Sequence, residues 1–353
     1  VRPILMRHSF YLFSFVLAAL CPLFWSIPTP ALAASDALEW VKVATKQYSP
    51  ASWNLLMQYD RLPQELPGAR KGGWDITIRK SVETFQQLNK ESSKTGLLSD
   101  MANNISCITL ALQRLLVFRH TRQNKMLMDW DRAEAFFDLP PSRSFYVSFP
   151  LKSLFPAGNL AAEIPEDLRT PLFSDYIEES EITKRFGVVG LLEEYHAHYN
   201  GARYYADMLD AFKTAEGSDI DGFLEWVRHS QDKMSAFYEF DFFILEYLRY
   251  MRENRAADYA ALKANRPFGE ARRAIRSSYA EVVRRYLERI DREMERLNGS
   301  GKARAGMEGH VLWVRPADTN LAKGARVLPI REKLLPVLAG DRYQTIRKDF
   351  PEQ

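Results

Sequence analysis

Gly190-Leu191-Leu192-Glu193-Glu194-Tyr195-His196-Ala197-His198-Tyr199-Asn200-Gly201 is the stretch whose reading decides the fold. At about 100° per residue, Val188, Leu191, Tyr195, Ala202, Tyr205, Leu209 and Phe212 fall on one arc, which predicts an amphipathic helix within a helical segment spanning 178–214. Glu193 and His196 fall on the other side with Asn200, Arg203 and Asp207, and are expected to face water. Glu194 and His198, four residues apart, fall inside the apolar arc beside Leu191, Tyr205 and Leu209. Buried charge is expensive unless paired. Such a pair either forms a structural hydrogen bond or is kept for metal binding or proton transfer.

Outward from this helix, apolar periodicity predicts further helices near 76–92, 99–120, 218–235, 236–263 and 268–298, after a short opening one around Trp40 and Val41. Ser218, with Asp221 three residues on, resembles a capping box. On the segment Glu270 to Leu297, the residues Ile275, Tyr279, Val282, Tyr286, Ile290, Met294 and Leu297 form one stripe, and Glu281/Arg285 and Glu288/Arg292 have the favourable i,i+4 order. The stretch 138–171 changes character: Pro140, Pro141, Pro150, Pro156, Pro165 and Pro171 break it up around a short strand, Phe145 to Phe149. After Asn298-Gly299-Ser300-Gly301 come two strand candidates, Val311 to Val314 and Arg326 to Ile330, and a last helix from about Arg331. The expected fold is mainly α with a minor β component. A multi-helix domain covers 34–298, with the proline-rich insert at about 138–171, and a C-terminal tail covers 299–353.

Residues 1–33 are expected to be a signal peptide. Arg7 and His8 precede an apolar run from Ser9 to Ile27, then Pro28 and Pro30, then Ala31-Leu32-Ala33, a small-x-small cleavage pattern. The alternative is a retained N-terminal anchor, because the run is long enough to span a bilayer. The expected location is therefore periplasmic or extracellular, with no transmembrane span once the signal is removed. Cleavage leaves Cys107 as the only thiol and no intramolecular disulfide; in Ile105-Ser106-Cys107-Ile108 it reads as a small buried hydrophobe. At 46% hydrophobic and 26% charged, the composition excludes a disordered chain, and a net charge of +3 in 353 residues argues against a nucleic-acid partner.

Between Phe237 and Met251, 11 of 15 residues are apolar or aromatic, leaving Glu239, Asp241, Glu246 and Arg249, so that helix is expected to be largely buried. Glu239 and Glu246 share one of its stripes with Tyr250. Facing the helix of Glu194 and His198, that stripe brings three carboxylates and an imidazole together, a set suited to a divalent metal such as zinc. Facing water, Glu246 and Arg249 form a surface pair. Glu225 and His229 read as another exposed pair. The chain has no nucleophile elbow, and Gly187-Val188-Val189-Gly190 lacks the third glycine and lysine of a phosphate loop.

Leu192-Glu193-Glu194-Tyr195-His196-Ala197-His198-Tyr199 resembles the third-ligand helix of the gluzincin metallopeptidases, Leu-x-Glu-Gly-x-Ala-x-Tyr. The resemblance implies zinc bound by Glu194. It covers eight residues, has Tyr195 in place of glycine, and is not accompanied by a His-Glu-x-x-His helix anywhere in the chain. Two functions follow as expectations. One is a non-catalytic binding or envelope-associated protein with an envelope protein as a partner. The other is an atypical, gluzincin-like metal-dependent hydrolase with Glu194 and His198 as catalytic residues and Glu239 and Glu246 as further ligands.

Overall fold

The computed structural model describes residues 34–61, 93–123, 131–140 and 143–351. The signal segment 1–33 and the helix expected at 76–92 lie outside these residues. The fold is mainly α with a minor antiparallel β component. Its helices are α1 (Ala34–Tyr48), α2 (Pro50–Asp60), α3 (Lys94–Gln123), α4 (Glu181–Asp207), α5 (Leu209–Glu216), α6 (Asp219–Asn254), α7 (Ala256–Lys263), α8 (Arg266–Gly299), α9 (Pro329–Ala339) and α10 (Gln344–Asp349).

Helix α4 is the axis of the molecule. It packs against α3, α6 and α8 at once, and every residue from Phe186 to Ala206 is buried. Enclosure on all sides explains why its polar residues need partners on several fronts. Two neighbouring groups show how the helices lock: Trp226 Nε1 of α6 donates to the Tyr205 carbonyl at 2.6 Å, and the Tyr279 hydroxyl of α8 donates to the Lys233 carbonyl. The expected stripe of α8 is buried, with Met294 partly so.

The helix expected over 178–214 is broken at Met208 into α4 and α5, whereas 218–254 is one helix with no break at 235. The absence of any glycine or proline near 235 is the physical reason for that continuity. Ser218 Oγ caps α6 by accepting from the Asp221 N–H at 3.2 Å, as the sequence predicts. On α8, Arg284 rather than Arg285 or Arg292 takes both Glu281 and Glu288, while Arg285 pairs with Asp207 at 3.6 Å. The i,i+3 geometry and the arrival of α4 beside α8 redistribute the pairs.

Within the proline-rich stretch, β2 (Arg143–Pro150) pairs with β1 (Arg132–Leu139), a strand the sequence reading missed. β1 lies over α3, α4 and α8, and β2 against α8. Short 3-10 turns and one π-helical turn, Ser174–Glu179, complete the stretch and lead into α4. The C-terminal part forms a meander of β3 (Ala303–Glu308), β4 (Val311–Pro316) and β5 (Lys323–Arg326), docked on α6 and α8. The second strand candidate, Arg326 to Ile330, is thus displaced toward 323, because Pro329 opens α9. The apolar core runs without interruption from Ala37 to Phe350.

Helix α3 is long and apolar enough over Lys94–Thr121 to cross a membrane, and 56% of its most apolar window is buried within the protein. Its buried side is the part of the core that covers α4.

Candidate functional site

The polar residues of α4 divide between two sides, and the division is not the one read from helical periodicity. Glu193 and His196 do not face water: they are 1% and 3% exposed, because α3 and β1 cover that side. Arg114 of α3 reaches Glu193 Oε2 at 2.6 Å and stacks over Phe186. Gln113 donates to His196 Nδ1 at 2.7 Å, and the Asp138 carbonyl, which can only accept, takes the proton of His196 Nε2 at 3.1 Å. Asn200 donates to the His196 carbonyl at 3.3 Å. Burial lowers His196 to about 3, so this imidazole is neutral, and burial raises Glu193 to about 7 against the pull of Arg114. These contacts fasten α3, β1 and α4 together. Beside them lies a cavity of about 40 Å³ lined by Leu55, Thr109, Gln113, Phe136 and His196, room for a water molecule.

The other side carries Glu194 and His198, each 6% exposed; buried atoms without a partner occur on both sides, Gln113 Oε1 and Glu193 Oε1 on the first and His198 Nδ1 on this one. His198 Nε2 lies 2.8 Å from the Tyr176 hydroxyl, which the π-helical turn presents to it, and its ring packs on Phe240 of α6. Its Nδ1 is buried without a partner. Glu194 makes no hydrogen bond; burial, then the charge of Glu193, pushes its carboxyl up to about 8. Burial drives His198 well below the usual imidazole range, with Lys233 of α6 adding to it. Lys233 is itself lowered by burial while Cys107, Glu194 and Asp232 act in the opposite direction. Tyr176 feels Glu194, Cys107 and Glu239 through space. Cys107, Glu194 and Lys233 thus act on one another through space, and Tyr176 bonds to His198 nearby.

Cys107 is exposed, which corrects the expectation of a buried hydrophobe. On α3 the core is built from Ile105, Ile108, Leu112 and Leu115, and residue 107 lies off that stripe. Its thiol is nonetheless raised, first by the protein around it and, after the opposing effect of Lys233, by Glu194. It is a rim residue and not an activated thiolate.

Glu239 lies near this site, since its charge acts on Tyr176 and Tyr279. Its carboxylate accepts from the Leu172 N–H at 3.2 Å, and burial raises it to about 7. Glu246 is engaged elsewhere. It is wholly buried and bound by Arg249 at 3.0 Å, by Arg342 at 2.8 Å and by the Tyr343 hydroxyl, an ionic latch between α6 and the C-terminal helices. The structure thus brings Glu194 and His198 together with Glu239 nearby, and places Glu246 in another cluster. Among the described residues no three His, Cys, Asp or Glu side chains are grouped so as to hold a metal ion. Glu225 and His229 do pair, at 3.5 Å, but half-buried rather than exposed.

Tyr176 and Lys233 were not singled out from the sequence. Lys233 lies four residues before Phe237 in a helix with few other cations nearby, a signal of the kind that could have found it; nothing marked Tyr176 within the irregular stretch. Compared with protein families, with curated proteins and with solved structures, the chain matches none.

Proposed function

We propose that this chain is a non-catalytic helical binding protein, exported to the periplasm or cell exterior, with its ligand site on the Glu194–His198 side of α4. One observation carries the reading: on the Glu194–His198 side of α4 the buried His198 Nδ1 has no partner, and Glu194 beside it makes no hydrogen bond. A buried polar group without a partner is costly, and a ligand removes that cost. Export is supported by the apolar run and Ala31-Leu32-Ala33. The gluzincin-like alternative is less well supported, because Glu246 is held in its own ionic latch and Glu239 accepts a backbone N–H.

Native mass spectrometry of the full chain, purified without chelator beside Glu194→Ala and His198→Ala, tests this. The binding reading expects a co-purifying or added small organic molecule that both variants lose. Stoichiometric metal lost in both variants would instead restore the hydrolase.

A further inference from the structure

The C-terminal meander has one buried face and one open face. Ala303, Ala305, Leu312, Val314 and Ala325 are buried where the sheet docks on α6 and α8. Alternation along each strand then sends Arg304, Trp313, Arg315 and Arg326 outward, the arginines exposed and the indole half-buried. The register sets Arg304 directly opposite Arg315, Trp313 between Gly306 and Gly324, and Arg326 opposite Val311. The Trp313 ring leans over the neighbouring strand, since a Cβ at Gly306 would lie 2.8 Å from its Cζ2 and 3.0 Å from its Cε2. The arginines stand on both sides of this ring, in rows about 13 Å apart.

Nothing balances their charge. Like charges directly across a strand pair destabilise it, yet among the described residues neither Arg304, Arg315 nor Arg326 has an ion pair or a side-chain hydrogen bond. Lys323, by contrast, is tied to Asp221 at 2.5 Å. Residues 302–326 hold five basic and two acidic residues, a net charge of +3 and equal to that of the whole chain, so the protein's excess charge is concentrated on this sheet. Apolar exposure is concentrated there too. Five large hydrophobic side chains are exposed among the described residues, and three belong to the meander. Leu321, 77% exposed, stands in the β4–β5 loop at the end of the Arg304–Arg315 row, and Met307 and Val311 flank the β3–β4 hairpin at the end of Arg326.

An acidic protein would have to set carboxylates in register with both arginine rows and cover the apolar ends as well. An anionic bilayer supplies headgroup charge without register, an apolar layer for Leu321, and a boundary zone that suits an indole. We propose that the open face of the meander docks the folded protein onto an anionic phospholipid surface. This face lies apart from the Glu194–His198 site and does not depend on it.

Hydrogen exchange of the full chain, read by mass spectrometry in peptides covering 303–326, tests the assignment. The chain is examined free, on phosphatidylcholine vesicles, on mixed phosphatidylglycerol and phosphatidylcholine vesicles, and with heparin. Because only the meander is read, association through the apolar run of 9–27 does not enter the result. The segments 308–311 and 317–322 should exchange more slowly on the anionic vesicles by roughly fivefold or more, the effect of even one arginine at such a surface. Neutral vesicles should leave them unchanged, and high salt should remove the slowing. Arg304→Gln/Arg315→Gln/Arg326→Gln should abolish it. The thermal midpoint of that variant should equal or exceed that of the unmodified chain, since the cross-strand repulsion is gone, which excludes misfolding as the cause. Slowing by heparin but not by vesicles overturns the lipid assignment in favour of an acidic polymer. Equal exchange in all four conditions, or slowing that survives the triple variant, overturns the arginine face as a docking surface.

Discussion

The Tyr176 hydroxyl lies 2.8 Å from Nε2 of His198, and the other ring nitrogen of that histidine has no partner. This one hydrogen bond is all that satisfies a buried imidazole. Tyr176→Phe removes it without changing shape, so it should destabilise the fold by about 1–3 kcal/mol, the usual cost of orphaning a buried polar group. The double variant Tyr176→Phe/His198→Phe removes both polar partners and should recover part of that loss. Urea unfolding of wild type, Tyr176→Phe, His198→Phe and the double variant gives the coupling; a Tyr176→Phe midpoint equal to wild type would mean the bond is not maintained in solution.

The pH dependence of stability follows from two opposed sets of groups. His196, lowered from 6.5 to about 3, and His198, also held well below the usual imidazole range by burial, bind protons in the unfolded chain before the folded one, so stability falls as pH drops below 6.5. Glu193 and Glu194, raised from 4.5 to about 7 and about 8, hold protons in the folded chain that the unfolded chain has released. Their contribution is whole below 4.5 and is lost as pH rises toward 8. Stability should therefore peak between these limbs, at mildly acid pH. Glu194→Gln should flatten the limb between pH 6.5 and 8 and leave the acid limb intact, as read from urea midpoints across the pH range.

Glu246 ties α6 to the C-terminal helices through Arg249, Arg342 and Tyr343. Glu246→Gln takes the charge out of a buried cluster and leaves two guanidinium groups facing each other, which should cost about 3 kcal/mol. Because the latch holds the last helices, the loss should be local at first. Limited trypsin digestion should cut after Arg342 and Arg347 in the variant long before the rest of the chain is cleaved; simultaneous loss of all fragments would show that the latch serves the whole fold instead.

Helix α8 and the capped start of α6 were legible because a stripe such as Ile275, Tyr279, Val282 and Tyr286 and a cap such as Ser218 are local signals. The odd position of Glu194 and His198 was legible for the same reason. Glu193 and His196 were misplaced because a helical wheel supposes one buried side, and α4 is covered on all of them. Their partners Arg114, Gln113 and the Asp138 carbonyl come from 58 to 83 residues away in the chain, beyond any local pattern. Cys107 misled in the converse way: apolar neighbours in sequence hid an outward position. The pairing of β1 with β2 was missed since only the second strand stood out as a run of aromatics.

Gly187, at φ 52° and ψ −129°, interrupts α4 nearly two turns before Glu193. That conformation is closed to residues with a side chain. It is also crowded: a Cβ at 187 would lie 2.3 Å from the Tyr247 hydroxyl and 2.7 Å from the Phe155 carbonyl. The Tyr247 hydroxyl cannot move aside cheaply, since it accepts from the Phe155 N–H at 2.8 Å and donates to the Phe155 carbonyl at 2.8 Å, with the two rings stacked. Gly187→Ala should thus lower stability by about 3 kcal/mol or more, combining backbone strain with overpacking. Because the kink sets the direction in which Glu193, Glu194, His196 and His198 leave the helix, the variant should also change alkylation of Cys107 in the folded chain. Gly187→Ala together with Tyr247→Phe separates the causes: relief of the clash with the hydroxyl should restore only a minor part of the stability, and full restoration would show that the backbone at 187 carries no strain.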